Sequence, residues 1–226
     1  MARQVRSELT RRKILDAAIG VFAESGYAAA GWNTIIERTG MTKGALYHHF
    51  DSKESLASAI IEEGSDTVMA AVGAVCGSSS PGLENMIHGT FTLAHVLGSD
   101  ATVRAAEQLT AALSGFNKAA GQFCEGLVAL MAAQACRASA EGDLRADLDP
   151  VALSESLIGA VFGTRLVSNA MGPAGRRHGS GVADLASPRQ MWDFLLAGIA
   201  TDESLPYFRE FLARESLRHA GVGADA

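Results

Sequence analysis

Apolar side chains recur three and four positions apart along most of the chain, which is the spacing of an amphipathic α-helix. The first such stretch runs from Thr10 to Ser25 and is followed by Gly26, a residue type that ends helices. Ile14, Ala18 and Phe22 share one face of it. Alternation of β-branched and polar residues is absent, and alanine is abundant throughout. The pattern predicts an all-α fold.

Two short helices are predicted next, separated by a tight turn. Asn33 to Thr39 forms the first, and Gly40 lies at its C-terminal end. Thr42 is a natural N-cap for the second, Lys43 to Phe50. Two short helices joined by a glycine-containing turn form a helix-turn-helix unit, so a three-helix head of this type is expected at the N-terminus.

A fourth helix is predicted from Asp51, where Asp51 and Glu54 have capping-box spacing, towards Val75. The stretch Cys76 to Gly82, rich in serine and glycine, is the clearest break in the chain. Gly172 to Ser187 is predicted to be the longest loop. The remaining predicted helices are Leu83 to Leu97, Ala101 to Leu113, Gly115 to Ala140, Pro150 to Met171, Pro188 to Ala200 and Leu205 to His219.

The net charge of −6 conceals a division along the chain. Residues 1–53 hold eight Lys/Arg against five Asp/Glu, a net of +3, whereas the remaining 173 residues carry 11 basic and 20 acidic side chains, a net of −9. Such asymmetry suggests that residues 1–53 bind a polyanion such as nucleic acid, whereas the rest of the chain repels phosphate. We therefore predict a helix-turn-helix DNA-binding domain at residues 1–53, called the head, and a second domain at residues 54–226, called the body.

Several function classes are disfavoured by composition. No run approaches 18 uninterrupted apolar residues, and the charged segment Met1 to Lys13 lacks the apolar stretch of a signal peptide, so a cytoplasmic protein without a membrane partner is expected. Cys76, Cys124 and Cys136 have no metal-type spacing. Buried reduced thiols are therefore expected, with a redox switch as the alternative, and no cofactor is predicted.

The segment Thr39 to Lys53, TGMTKGALYHHFDSK, has the features of a DNA recognition helix. Such a helix needs a compact N-terminal end, polar groups that reach base edges, and flanking donors that hold phosphates. Gly44 leaves room for close approach, and Lys43 can donate to guanine. The predicted DNA-binding residues are Thr42, Lys43, Gly44, Tyr47, His48, Lys53, Arg3, Arg6 and Arg11.

The array from Thr10 to Leu56 closely resembles the DNA-binding domain of TetR-family regulators. It reads TRRKILDAAIGVFAESGY and then TGMTKGALYHHFDSKESL. The resemblance implies that the predicted residues of the third helix contact DNA and that Lys53 contacts a phosphate at the start of the next helix. The alternative is that the tyrosine and the two histidines of that helix only pack within a helical bundle.

Short motifs elsewhere resemble the gamma-butyrolactone receptor branch of that family. They are the opening Met1 to Gln4, VFGTRLV from Val161, PAGR from Pro173, and the pair Met191 and Trp192. The resemblance implies a homodimeric repressor of antibiotic or morphological genes, released from its operator by a hormone-like lactone or furan.

Two positions depart from that branch. It typically carries a tryptophan on the helix that lines the ligand pocket, where Gly115 to Ala140 offers only Phe116 and Phe123 as aromatic residues. A glutamine that is usual in the fourth helix is Gly64 here. An altered pocket is therefore expected, and the effector is a butyrolactone or furan or, as in a pseudo-receptor, an antibiotic, another signal or none.

Thr164 is the best single ligand candidate in the body, because one hydroxyl among apolar neighbours suits a mostly apolar pocket. The alternative is that its hydroxyl bonds back to a carbonyl one turn earlier. The predicted ligand-binding residues are Thr164, Phe123, Phe91, His95 and Leu127.

Apolar faces on the two predicted helices from Pro150 and Pro188 suit a four-helix dimer interface. Its predicted residues are Leu157, Val161, Trp192, Leu195 and Leu196.

These observations predict a ligand-responsive transcriptional repressor that binds a pseudo-palindromic operator as a homodimer. One alternative is a regulator without a ligand, controlled by abundance or by oxidation of Cys124 or Cys136. The other is an all-helical enzyme using His88 and His95, which share a helix face near Glu84. Their apolar neighbours instead favour buried or pocket-lining histidines, so neither a metal nor an enzymatic activity is predicted.

Overall fold

The structure is a computed structural model that describes residues 2–176 and 188–221. Over these residues the chain forms ten α-helices and no named strand, which confirms the all-α prediction. The helices are α1 (Ala2–Ala29), α2 (Trp32–Thr39), α3 (Lys43–His49), α4 (Lys53–Cys76), α5 (Gly82–Ser99), α6 (Ala101–Ala112), α7 (Lys118–Glu141), α8 (Pro150–Arg176), α9 (Pro188–Ile199) and α10 (Leu205–Gly221).

The ends of α1 and α4 differ from the prediction. Helix α1 begins eight residues earlier than expected, and Gly26, with a φ of 72°, produces a kink rather than its end. Helix α4 is capped one residue later than predicted. The Ser55 amide donates to Ser52 Oγ at 3.0 Å and the Ser52 amide to Ser55 Oγ at 3.2 Å. The predicted capping box of Asp51 and Glu54 is therefore wrong, because Ser52 and Ser55 make the reciprocal bonds.

Helix α8 also extends beyond its predicted end at Met171. Its backbone stays helical through Arg176, so the first five residues of the predicted loop, including Gly172 and Pro173, belong to the helix. A proline removes one backbone hydrogen bond, and this loss does not end a helix of 27 residues. The rest of the predicted loop, residues 177–187, lies outside the described residues.

The chain packs as two compact units. Unit 1 comprises Met1–Val68 and Leu97–Cys124, and unit 2 comprises Met69–Val96 and Glu125–Ala226. The core of unit 1 is built from apolar side chains of α1 to α4 and α6. These side chains are 0–6% exposed and are Ile14, Leu15, Phe22, Ile35, Leu46, Phe50, Leu56, Ile60 and Val103. The predicted boundary between residues 53 and 54 does not coincide with this division and stays a prediction.

The core of unit 2 surrounds Trp192 of α9, which is fully buried. Its indole N–H donates to Thr90 Oγ of α5 at 2.8 Å, and the Thr90 hydroxyl donates to the Ile87 carbonyl at 2.7 Å. A second buried polar pair joins α5 to α7, since the Asn85 amide donates to Gln134 Oε1 at 3.0 Å. These bonds satisfy polar groups that would otherwise destabilise the core.

The surface of α8 and α9 carries large exposed apolar side chains. The stretch Pro150–Met171 is long and apolar enough, by length and composition, to cross a membrane. Only 28% of its most apolar part is buried, so the helix exposes much of its apolar surface. The exposed large apolar residues in the described part of these two helices are Val151, Leu166, Val167, Met171 and Phe194.

The predicted dimer residues are mostly covered within unit 2, and their place in a dimer interface stays a prediction. Leu157, Val161, Trp192 and Leu196 are only 0–3% exposed, because unit 2 itself covers them. Leu195 is half-buried. On helices that are apolar on several sides, hydropathy alone did not show which side faces the protein's own core.

Candidate functional site

Helix α3 separates buried and exposed residues clearly. Leu46 is fully buried and Phe50, which follows the helix, is 6% exposed, so these two side chains hold α3 against the core of unit 1. The opposite face is exposed and contains the predicted DNA-binding residues of this segment: Thr42, Lys43, Gly44, Tyr47 and His48. Positions 43, 44, 47 and 48 share one side of a helix, because residues four apart lie one above the other.

The N-terminal end of α3 is fixed by Thr42. This residue is the N-cap, as predicted, and its hydroxyl accepts the Ala45 amide at 3.3 Å. Gly40 ends α2 in the left-handed conformation with a φ of 64°, a geometry that favours glycine. Gly40 and Thr42 thus set the turn that presents α3 to solvent.

Tyr47 is exposed by 46% but is held by two neighbours. Its ring centroid lies 5.6 Å from that of Trp32 at an interplanar angle of 58°, and Lys43 Nζ lies 5.7 Å from the centre of the tyrosine ring. Burial of Tyr47 and His48 within a bundle is therefore excluded, whereas their DNA contacts stay a prediction.

Trp32 is a residue of this site that sequence reasoning missed. It is the first residue of α2, and its ring orients Tyr47 on the exposed face of α3. Its indole nitrogen is buried and has no hydrogen-bond partner among the described residues. An aromatic residue at the start of the first helix of the helix-turn-helix unit was the available signal.

Lys53 makes contacts within the protein. Its Nζ donates to the carbonyls of Tyr27 at 2.8 Å and Ala30 at 3.1 Å, and it lies 4.5 Å from the centre of the Tyr27 ring. A cation next to the last carbonyls of a helix stabilises that helix end. The structure therefore gives Lys53 a bracing role at the end of α1, and its phosphate contact stays a prediction.

The predicted arginines have different surroundings. Arg6 is exposed, and Arg11 places its guanidinium 5.7 Å from the centre of the Phe50 ring. The side chain of Arg3 lies outside the described residues.

Arg38, which is not one of the predicted DNA-binding residues, forms a bidentate pair with Glu24 at 2.6 and 2.7 Å, and this hydrogen bonding lowers the pKa of Glu24. The charge of Arg38 is thus already balanced within the protein.

Gly64 of α4 makes an unusually close approach to α6. A Cβ at this position would lie 2.4 Å from Ala106 Cβ and 3.2 Å from the Thr102 carbonyl oxygen. The glutamine expected here from the family pattern would not fit unless α6 moved. The absence of that glutamine is therefore matched by tight packing between α4 and α6.

Replacing Gly64 by alanine is expected to destabilise the protein by roughly 1–3 kcal/mol, because Ala106 cannot move away without shifting α6. The Gly64→Ala, Ala106→Gly double variant should be more stable than Gly64→Ala alone, as measured by thermal unfolding. Gly73→Ala, at another α4 position where a Cβ would meet no atom within 4 Å, is the control and should cause no loss. Additive losses in the double variant would contradict the proposed contact.

The groove that contains Thr164 does not include the other predicted ligand residues. Thr164 lines a groove of about 310 Å³ between α8 and α9, whose other lining residues include Leu157, Met191 and Phe194. Phe91, His95, Phe123 and Leu127 are not part of that groove. Phe91, Phe123 and Leu127 are buried on α5 and α7, and His95 is exposed on α5.

The Thr164 hydroxyl donates within its own helix. It lies 2.9 Å from the Ala160 carbonyl and 3.0 Å from the Val161 carbonyl, which is the structural alternative considered for this residue. Its groove belongs to the exposed surface of α8 and α9. A ligand contact by Thr164 stays a prediction, and nothing in these hydrogen bonds favours it.

The three cysteines differ in accessibility. Cys76 is buried, which raises the pKa of its thiol to about 11 and keeps it unreactive. Cys124 is half-buried and Cys136 is exposed, so the expectation of buried thiols is wrong for Cys136. All three are free thiols in the structure.

Comparisons with known proteins cover both halves of the chain. The family model "Bacterial regulatory proteins, tetR family" matches residues 14–60, and "Tetracyclin repressor-like, C-terminal domain" matches residues 79–200. The A-factor receptor protein of Streptomyces griseus is 32% identical over 203 residues, which cover 88% of this chain and 67% of that protein.

Two solved structures resemble the whole chain. A crystal structure of a gamma-butyrolactone receptor, an ArpA-like protein, gives a TM-score of 0.76 at 26% identity and covers 94% of this chain and 99% of that one. The TetR-family protein CprB from Streptomyces coelicolor, in complex with its biological operator sequence, gives a TM-score of 0.71 at 28% identity and covers 92% and 97%.

Proposed function

Because the chain belongs to the TetR family of bacterial regulatory proteins, we propose that it is a transcriptional repressor that binds operator DNA as a homodimer and releases it when a small effector binds the body. The observation that carries the proposal is the exposure of Lys43, Tyr47 and His48 on α3, the helix that the buried Leu46 holds against the core of unit 1. The similar structures, one of which is a complex with operator DNA, support it. A regulator of this family is not an enzyme, and it acts in the cytoplasm.

The DNA contact follows from the chemistry of this face. A helix that enters the major groove reads bases with donors near its N-terminal end, where Lys43 lies. Thr42 and His48 are also exposed, and Tyr47 is oriented by Trp32. The exposed Arg6 adds positive charge for phosphates, so affinity should fall with rising salt.

Gly44→Ala tests whether α3 lies against DNA. Among the described residues, and apart from the neighbouring backbone of its own helix, no atom lies within 4 Å of a Cβ at this position, so alanine should not lower stability. If α3 enters the groove, the added methyl group faces bases and moves Lys43 outward, and operator affinity should fall by about tenfold or more. The measurement is fluorescence anisotropy with DNA from upstream of the gene.

The matched control is Gly121→Ala on α7, which is also exposed and also has open space around the added Cβ. It should bind DNA like the wild type. Equal affinity of Gly44→Ala and the wild type would show that α3 does not approach DNA closely, and would contradict the proposal.

The dimer is proposed to form through α8 and α9. Phe194 is 77% exposed and Leu166 is 66% exposed, and the groove between these helices offers an apolar recess. Such a surface is unusual on a monomer, and a symmetric dimer buries it against its own copy. The same burial accounts for the apolar, largely uncovered stretch Pro150–Met171 without a membrane.

The effector is proposed to be a small, largely apolar molecule related to the gamma-butyrolactones, as the names of the similar proteins suggest. Phe91 of α5 and Leu127 of α7, which are both buried and both belong to unit 2, are the proposed apolar contacts. The missing tryptophan in α7 and the glycine in place of glutamine at position 64 favour an effector whose shape differs from that of a gamma-butyrolactone. An antibiotic-like compound is therefore the alternative.

A panel of gamma-butyrolactones, furans and larger aromatic antibiotics, added to the protein–operator complex, should separate these effectors. We expect release by at least one compound, with the larger effectors more potent than a simple gamma-butyrolactone. Release by a simple gamma-butyrolactone at nanomolar concentration would contradict the altered pocket, and release by none would favour a regulator without a ligand.

A further inference from the structure

Three metal-ligating side chains converge in unit 2, outside the proposed DNA and effector sites. His88 lies on α5, and Glu215 and His219 lie one turn apart on α10. Glu215 Oε1 is 3.5 Å from His88 Nε2 and 3.0 Å from His219 Nε2, and the three donor atoms lie within 4.8 Å of one another. We propose that this cluster is a binding site for a divalent transition-metal cation of the zinc type.

The separations fit such an ion. Zinc binds histidine nitrogen and carboxylate oxygen at about 2.0–2.2 Å, so neighbouring donors in a tetrahedral site lie about 3.3 Å apart. The two measured separations from Glu215, 3.0 and 3.5 Å, fall on either side of this value. Small side-chain rotations therefore bring the three donors to coordination distance, with a fourth position left for water.

Glu215 gives an independent reason to expect a cation. Its side chain is only 1% exposed, and a buried carboxylate is costly unless positive charge and hydrogen bonds accompany it. Arg218 Nη1 lies 3.0 Å from Glu215 Oε2, but the arginine side chain is 63% exposed and holds only this oxygen. The other oxygen, Oε1, faces the two histidines.

The histidines are suited to ligate. The His88 side chain is 35% exposed and that of His219 23%, so the cluster is open to an ion from solvent. Two imidazoles with one carboxylate favour first-row transition metals over Mg²⁺, which prefers oxygen ligands.

A bound cation would join α5 to α10. The His219 ring stacks on Phe91 of α5, with ring centroids 5.2 Å apart and an interplanar angle of 28°. Coordination would therefore fix both the histidine and the aromatic side chain beside it. Because α5 also carries predicted effector residues, metal occupancy would stabilise the part of unit 2 that the effector is proposed to contact.

This cluster differs from the one considered from the sequence. Glu84 accepts a hydrogen bond from the Tyr207 hydroxyl, and His95, with its ring centroid 6.3 Å from that of His219, is not one of the three donors. The partners of His88 come from a helix more than 120 residues later in the chain, which helical spacing around His88 does not indicate.

The test is calorimetric titration of the full-length protein with zinc chloride, after iodoacetamide has capped the accessible thiols of Cys124 and Cys136. We expect one saturable zinc ion per chain, a rise in thermal stability with zinc, and no binding of magnesium chloride. His88→Asn and His219→Asn should each weaken zinc binding by at least about tenfold.

The matched control is His95→Asn, which removes a neighbouring histidine outside the donor set and should keep wild-type zinc affinity. Circular dichroism of each variant without metal establishes that it is folded. Absence of saturable zinc binding, or equal zinc affinity in the wild type and both donor variants, would overturn the proposal. This outcome is separate from DNA binding, which the assay does not involve.

Discussion

Lys43→Ala is expected to weaken operator binding by about ten- to a hundredfold while the protein stays folded and dimeric. The Lys43 side chain is exposed at the first position of α3 and lies next to Tyr47, so its removal leaves the core intact. One bidentate contact between lysine and guanine is worth roughly 1–3 kcal/mol, which sets this range. Anisotropy titrations at one fixed salt concentration measure the effect.

Two further variants separate recognition from charge and from folding. Lys118→Ala removes an exposed lysine at the start of α7 and should leave operator affinity unchanged. Leu46→Ala removes a fully buried side chain and should destabilise the protein by about 2–5 kcal/mol. If Lys43→Ala binds as tightly as the wild type, α3 is not the recognition helix.

Phe194→Glu is expected to dissociate the homodimer and, with it, operator binding. The phenylalanine is 77% exposed beside the groove of α8 and α9, and a carboxylate there would be buried without a partner when two copies meet. Loss of one hot-spot residue of an interface typically costs about 2 kcal/mol or more, which corresponds to a dimer dissociation constant about thirtyfold higher. Analytical ultracentrifugation over a range of concentrations measures it.

Phe116→Glu is the matched control, because Phe116 is also an exposed phenylalanine, at 89%, but lies on neither of these helices. It should remain dimeric. An unaltered dimer in Phe194→Glu, or equal dissociation in both variants, would place the interface elsewhere.

The fold and α3 could be predicted because their signals are local. Helical periodicity depends on residues within about two turns, and it located each of the ten helices of the described residues, although several ends shifted. Capping by Thr42 and the glycine at position 40 likewise depend on a few neighbouring residues. The exposed face of α3 followed from the buried Leu46 by helix geometry alone.

Features that depend on distant partners could not be predicted. Lys53 binds the carbonyls of residues 27 and 30, and His88 meets Glu215 from another helix. On α8 and α9, where most sides are apolar, hydropathy did not separate the buried Trp192 from the exposed Phe194. In each case tertiary packing, which no short sequence window contains, decides the role of the residue.

The most direct test of the proposed repressor is a footprint of the wild-type protein on DNA from upstream of its own gene. Binding of a dimer through two α3 helices predicts one protected pseudo-palindrome, with half-site centres about 10 bp or a multiple of this apart. The protection should disappear in Lys43→Ala at the same concentration. Protection of no region, or equal binding to unrelated DNA, would contradict the account.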